Sequence, residues 1–364
     1  MEEDFFEIDF LDVETKKSGD AISMRYRLNG HTYVHVVDGG YMATGQRVVE
    51  HIKKYYDDPE YIDHVVATHP DGDHTAGLRF VLENYEVKNL WMNRPWLYVD
   101  ELLERFARYT NRDNLIRALK KAFPNTAALE NIAVTKGIPI HETFQGVSIG
   151  AFRVMAPTRA RYIDTVVESE KTGQVAKTDG HVLDTAALKG FMTEVYQAVV
   201  NFIKSGWNEE KFSSGPTSPE NEMSVVQYAY LNQTRILLTA DTGREGLQEV
   251  IDYAPYAGLA LPGIDRFQVP HHGSRRNVSS ELLDKILGPK LPYQVAKGSE
   301  TFTAIISSAK EDTDHPRSAV VRAMHHRGAR VISTEGKSIC TFKGAPNRGW
   351  VAIEGVPYPE EQED

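Results

Sequence analysis

The stretch Thr68-His69-Pro70-Asp71-Gly72-Asp73-His74 crowds two histidines and two aspartates between position 69 and position 74. It follows the apolar run Val65-Val66-Ala67, which reads as a buried strand, and precedes Thr75-Ala76-Gly77-Leu78, which reads as a helix start. A tight loop at a strand end lets a rigid scaffold aim several side chains at one point. Imidazole nitrogens and carboxylate oxygens together suit zinc, manganese or iron. Pro-Asp-Gly alone would explain a solvated turn. The flanking histidines and the second aspartate favour a metal loop.

Two further polar clusters stand at expected strand ends. Asp241 closes the apolar strand Ile236-Leu237-Leu238-Thr239-Ala240, and His271-His272 follow Phe267-Gln268-Val269-Pro270. Three strand-end clusters of His and Asp, far apart in sequence, argue for convergence on one site.

Around them the chain alternates strands and helices. Strand patterns cover 5–11, 21–28 and 31–37, with Asn29-Gly30 as a hairpin turn, and Asp38-Gly39-Gly40 breaks the third. The last third alternates again, with helices expected over 245–253, 280–287 and 317–327. Two blocks of strands with helices between them predict a layered α/β domain. We read one domain over 1–350, a helical stretch at 96–124, an insertion at 158–219 with a helix over 186–205, and an acidic, disordered tail at 351–364.

The clusters and their order resemble the metallo-β-lactamase superfamily, and within it the hydrolase domain of ComEC-type competence proteins. The motifs that carry the resemblance are Val37-Asp38-Gly39-Gly40, His69-Pro70-Asp71-Gly72-Asp73-His74, Asn221 with Ser224-Val225-Val226, Leu238-Thr239-Ala240-Asp241, Val269-Pro270-His271-His272-Gly273-Ser274, and His315-Pro316. The resemblance implies an αββα sandwich holding two divalent metal ions, zinc or manganese. It implies that Asp241 bridges them, with His69 and Asp71 on one and Asp73 and His74 on the other. One of His271 and His272 would complete a shell while its neighbour faces substrate. Asp73, His272 and His315 are the candidate catalytic groups, and Asn221 and Ser224 the candidate substrate contacts. A hydroxide held between two cations would attack a phosphodiester. Ala240 stands where glycine is usual, and the superfamily's isolated histidine ligand has no clear counterpart, His141 and His181 being the residues in that interval.

Composition narrows the setting. The formal charge is −10, so no global basic field attracts nucleic acid. Arg105, Arg108, Arg112, Arg117, Lys120 and Lys121 recur at helical spacing in a segment read as one helix over 100–123, either as a solvated face or as a phosphate-tracking stripe. Cys340 is the single cysteine, which excludes an internal disulfide and a thiolate metal cluster. With no apolar run near the roughly 18 residues that cross a bilayer and an acidic start, a cytoplasmic enzyme without a membrane partner is expected. The expected function is phosphodiester hydrolysis, on nucleic acid or a small phosphodiester. The alternatives are another small-ester hydrolase and a non-catalytic subunit that binds nucleic acid or a protein partner.

Overall fold

The structure is a computed structural model that describes residues 4–13, 15–172, 177–178, 181–182 and 202–364. Strands are numbered along the chain. The first sheet has seven strands in the order β17 (Ile339–Lys343), β1 (Phe6–Phe10), β2 (Ala21–Leu28), β3 (His31–Gly39), β4 (His64–Val66), β5 (Leu90–Trp91) and β6 (Ile140–His141). The second also has seven, in the order β16 (Ala329–Ser333), β15 (Phe302–Ile306), β14 (Arg266–Gln268), β13 (Thr234–Leu238), β12 (Val226–Leu231), β8 (Phe152–Ala156) and β7 (Ser148–Ile149). Each sheet joins antiparallel hairpin strands to a run of parallel ones, β3 to β6 in the first and β13 to β16 in the second.

Alternation along the strands builds the layers. Phe6, Ile8 and Phe10 of β1 and Ile22, Met24 and Tyr26 of β2 meet Phe152, Val154, Ile236, Leu238 and Ile305 in a core between the sheets. Val34, Val36, Val65 and Leu90 face the other way, against the helices Met42–Tyr55, Leu78–Asn84 and Pro124–Lys136. The helices Arg244–Tyr253, Ser280–Leu287 and Ser318–His326 cover the second sheet on its outer side. The expected αββα sandwich is therefore the fold. No helix among the described residues is long and apolar enough to cross a membrane.

Three local readings are corrected. The single helix expected over 100–123 is two, Val99–Arg105 and Arg112–Ala122, because Asn111 caps the second by accepting from the Asn114 amide. Its cations meet carboxylates on neighbouring elements: Arg105 pairs with Asp164 at 2.7 Å, Lys120 with Glu130 at 2.5 Å, and Arg112 with Asp100. Of the helix expected over 186–205, residues 186–201 lie outside the described residues, and Phe202–Lys204 is a strand, β11. The tail is structured where composition suggested disorder: Glu361–Glu363 is a strand, β18, paired with β11. The Glu363 carboxylate accepts from the Ser318 and Ala319 amides at 2.8 and 3.1 Å, capping the helix Ser318–His326. A short antiparallel pair, β9 (Lys177–Thr178) and β10 (His181–Val182), lies within 158–219.

Glycines dock the His69–His74 loop. After His74 the chain passes so close to the end of β3 that a Cβ on Gly77 would fall 2.0 Å from the Gly39 carbonyl oxygen. On the helix side, a Cβ on Gly45 would fall 2.1 Å from the Gly77 carbonyl oxygen. Only hydrogen at these positions permits that approach.

Candidate metal centre

The predicted residues gather where the two sheets open at the C-terminal ends of their parallel strands. His69 to His74 follow β4, Asp241 follows β13 and His271-His272 follow β14. A hydrogen bond from the Val225 amide to the Thr68 carbonyl (3.1 Å) ties the second sheet to the loop.

The buried Asp241 carboxylate stands at the centre, with a different set of groups on each oxygen. Its Oδ1 lies 3.2 Å from His74 Nε2 and 3.7 Å from His272 Nε2. Its Oδ2 lies 3.9 Å from His69 Nε2 and 3.6 Å from His271 Nε2. Asp73 joins the first side, 4.0 Å from His272 Nε2, and Asp71 the second, 3.9 Å from His69 Nε2. Asp71 also pairs with Lys171.

All four imidazoles have Nδ1 committed elsewhere. His74 Nδ1 donates to Asp38 Oδ2 at 2.8 Å, and His272 Nδ1 donates to the Ser307 carbonyl at 2.8 Å. The Thr68 hydroxyl donates to Asp38 and so accepts from His69 Nδ1 at 3.0 Å. Asn277 donates through Nδ2 to the Asp241 and Thr242 carbonyls, which turns its Oδ1 toward His271 Nδ1 at 3.0 Å. These bonds fix the Nδ1 proton on His69, His74 and His272 and turn their Nε2 atoms toward Asp241, whereas His271 Nδ1 stands 3.0 Å from both the Asn277 Oδ1 acceptor and the Asn221 Nδ2 donor.

The donor set fits divalent cations. His69 Nε2, His74 Nε2, His272 Nε2, Asp241 Oδ1 and Asp20 Oδ1 are buried with no hydrogen-bond partner. An unsatisfied buried polar atom costs on the order of 1–3 kcal/mol, so five together mark a place meant for a ligand. Of four groups among the described residues that hold donor atoms within 4.8 Å of one another, three lie here: Asp38, His69 and His74; Asp73, His74 and His272; Asp20, Asp241 and His272. Two ligands of one zinc stand up to about 4 Å apart, so small side-chain movements close such a set.

The electrostatics point the same way. Burial opposes charge on His74, yet Asp241 and Asp38 outweigh it and hold the imidazole well above its usual pKa. His272 is pushed down to about 3, chiefly by burial. Burial, reinforced by Asp241 and Asp38 against the pull of His74, lifts Asp20 to about 7. Burial and Asp241 also raise Asp73 against the pull of His74. Carboxylates forced together this way call for cations.

His315 lies beside the pair, its ring centroid 5.3 Å from His271 and 6.0 Å from His272, with Nδ1 3.4 Å from Asp312. Asn221 reaches the site, 3.0 Å from His271 Nδ1. Ser224 is fully buried with an unpartnered Oγ and makes none of the described contacts of the cluster. His141 is bonded to Asn89 at the far edge of the first sheet, away from the cluster. The His181 side chain lies outside the described residues. Asp20, Asp38, Asn277 and Lys171 are participants that the sequence reading did not assign. Asp38 carried a signal, an aspartate before Gly39-Gly40 at a strand end, and Asp20 another, in the motif Gly19-Asp20-Ala21-Ile22 that also bears the resemblance; Asn277 and Lys171 carried none.

Ala240 departs from the usual glycine at a cost the backbone makes visible: its φ is 47°, and Asp38, His271 and His272 are also left-handed, at 56°, 47° and 54°. Strain of this kind collects where side chains must be aimed.

No curated protein sequence matches the chain. Among solved structures, a mutant of the β-hydroxylase CmlA aligns at 11% identity and TM-score 0.40 over 94% of this chain and 54% of its own, so the chain spans about half of that protein. The hydrolase AbOPH of the beta lactamase superfamily aligns at 11% identity and TM-score 0.30, covering 68% of this chain and 75% of its own. A beta-lactamase domain protein from Burkholderia ambifaria gives 13%, 0.32, 73% and 71%. The family model for the metallo-beta-lactamase superfamily matches residues 24–113, the segment that carries Asp38 and the His69–His74 loop, so the chain is similar to that superfamily over this segment.

Proposed function

We propose that the protein is a metal-dependent hydrolase that cleaves phosphodiesters with two divalent cations, zinc or manganese. The observation that carries this reading is the division of Asp241: one oxygen faces His74 and His272, the other His69 and His271. In this reading Asp241 would serve both cations, His74, His272 and Asp73 would hold one, and His69, His271 and Asp71 would hold the other. Both His271 and His272 are then ligands, one on each side. The cations supply Lewis acidity, which lowers the pKa of an attacking water and neutralises charge on substrate oxygens.

The chain's own groups do the rest. Asp38, Ser307 and Thr68 hold His74, His272 and His69 in the tautomer that presents Nε2, and Asn277 and Asn221 hold His271 in place at Nδ1. Asp73, about a third exposed at its side chain, orients the attacking water from the open side. His315, steadied by Asp312, exchanges a proton with the leaving group at Nε2. Asn221 positions substrate beside His271. The mixed set of four imidazoles and three carboxylates suits zinc or manganese, and the resemblance to ComEC-type hydrolases favours a phosphodiester over an amide, so nucleic acid is the first substrate to test.

The test compares wild type, Asp241→Asn and Asp73→Ala on linear and circular DNA, RNA, bis(p-nitrophenyl) phosphate and p-nitrophenyl acetate, each with manganese, zinc or chelator. Metal-dependent phosphodiester cleavage that both variants lose is expected. Cleavage of the acetate alone would move the substrate class to carboxylic esters. A metal-loaded wild type that cleaves none of them would overturn the reading.

A further inference from the structure

Beside the edge strand β17, a cavity of about 860 Å³ opens between the sheets and the segment 348–354, lined by none of the His/Asp cluster. Its floor is a cross-strand row. Arg266 of β14 is in register with Thr303 of β15, and Thr303 with Arg330 of β16, so the three side chains share one face of the parallel sheet. That face looks toward the other sheet, as the Arg266 Nε bond to Thr341 Oγ1 of β17 (2.6 Å) requires. Continuous apolar side chains are the rule on such a face. Two arginines in one row need another explanation.

Neither guanidinium meets a carboxylate among the described residues. Arg266 donates to Thr341 and to the Asp265 carbonyl (2.9 Å), and Arg330 to the Ile353 carbonyl. Burial chiefly, and with it the Arg330 charge, lowers the Arg266 pKa against the pull of Asp265. Lys337 adds an exposed cation on the rim, and Arg348, which also lines the cavity, is held by Glu7 and Asp9. The lining carboxylates are Asp9 and Glu354, and Asp9 is already taken by Arg348, His51 and Tyr56. Donors outnumber acceptors. The volume is that of a small-molecule site.

We propose that this cavity binds a small phosphate-bearing anion, gripped by Arg266 and Arg330 with Lys337 and the Trp350 indole at its rim. Guanidinium pairs recognise phosphoryl oxygens through paired, charge-assisted hydrogen bonds. Thr303 and Ser307 at the metal centre are separated by roughly 13 Å of strand. The cavity contains none of the His/Asp cluster, so the proposal stands apart from the hydrolase reading.

The experiment is calorimetric titration of chelator-treated full chain with inorganic phosphate, pyrophosphate and AMP, repeated on Arg330→Gln, Lys337→Gln, Arg266→Gln and Asp241→Asn. Saturable binding of one of the three is expected, weakened at least about tenfold in R330Q and R266Q and unchanged in D241N. Preference for AMP over the inorganic ions would identify an organic phosphate as the ligand class; the reverse order would identify a free one. Arg330 and Lys337 are exposed, so their variants remain informative if R266Q fails to fold. No saturable binding at millimolar ligand, equal binding in R330Q, or binding lost in D241N alone would overturn the proposal.

Discussion

Asp38→Asn is the most discriminating change, because it alters one oxygen without altering shape. The Asp38 carboxylate accepts three hydrogens: from the Thr68 amide at 2.9 Å, the Thr68 hydroxyl at 2.6 Å and His74 Nδ1 at 2.8 Å. An asparagine offers one oxygen and one NH2 group. With its oxygen on the Thr68 amide, the NH2 faces His74 Nδ1, which must then accept. The ring proton moves to Nε2, the atom that points at Asp241, and that nitrogen can no longer bind a cation. Loss of such an orienting partner typically weakens metal affinity 10–100-fold, or about 1.4–2.7 kcal/mol. With the amide reversed, the NH2 meets the Thr68 N–H donor to donor, and the unsatisfied buried group costs about 1–3 kcal/mol of stability instead. Competition for zinc or manganese against a chromophoric chelator reads the first outcome, and thermal melting of the metal-free protein reads the second. A variant unchanged in both would refute the tautomer argument.

Three further outcomes follow from particular residues. Burial, working against Asp63, holds His64 down to about 4, and its Nδ1 must stay unprotonated to accept from Trp91. The folded pKa lies below the unfolded 6.5, so stability is full above pH 6.5 and falls toward pH 4 by up to about 3 kcal/mol; His64→Gln should flatten that slope in chemical denaturation, and an unchanged slope would count against it. Ala240→Gly relieves a left-handed φ of 47° and should leave stability equal or up to about 1 kcal/mol higher, whereas a clear drop in melting temperature would show that the Ala240 methyl matters more than its backbone. Glu363→Ala removes the carboxylate that caps the helix Ser318–His326 and should cost about 1–2 kcal/mol in urea unfolding; no loss would mean that the tail does not dock in solution.

What could be read from the sequence was what local chemistry carries. His69, Asp241 and His271 announce themselves because polar residues of one chemical class follow apolar strands. The roles of Asp38 and Asn277 were not legible, since a buried carboxylate is defined by the donors that come to it from other strands. The tail was misread for the same reason. Its acidic, proline-broken composition is that of a solvated segment, but Arg322, fully buried, donates to the Pro359 carbonyl at 2.6 Å, and Gln362 and Glu363 are buried with it. Composition cannot see a partner that arrives from β11 and a distant helix. Apolar spacing likewise ran on through 100–123, where one capping asparagine divides the helix.

The position of the cluster makes metal binding a property of the whole fold. Asp38 stands at the end of β3 and the His69 loop follows β4, adjacent parallel strands of one sheet; Asp241 and His271 follow β13 and β14, adjacent parallel strands of the other. The donors converge only while the core between the sheets is intact, so an unfolded chain keeps no site. A cation at 100 times its dissociation constant then adds about 2.7 kcal/mol to global stability. Chelation should lower the melting temperature of wild type cooperatively, with no separate early transition. In Asp241→Asn, which removes a ligand shared by both sides, chelator should change the melt little. A chelator-induced shift of wild-type size in that variant would mean that the stabilising cation binds elsewhere, and Asp241 would lose its central place.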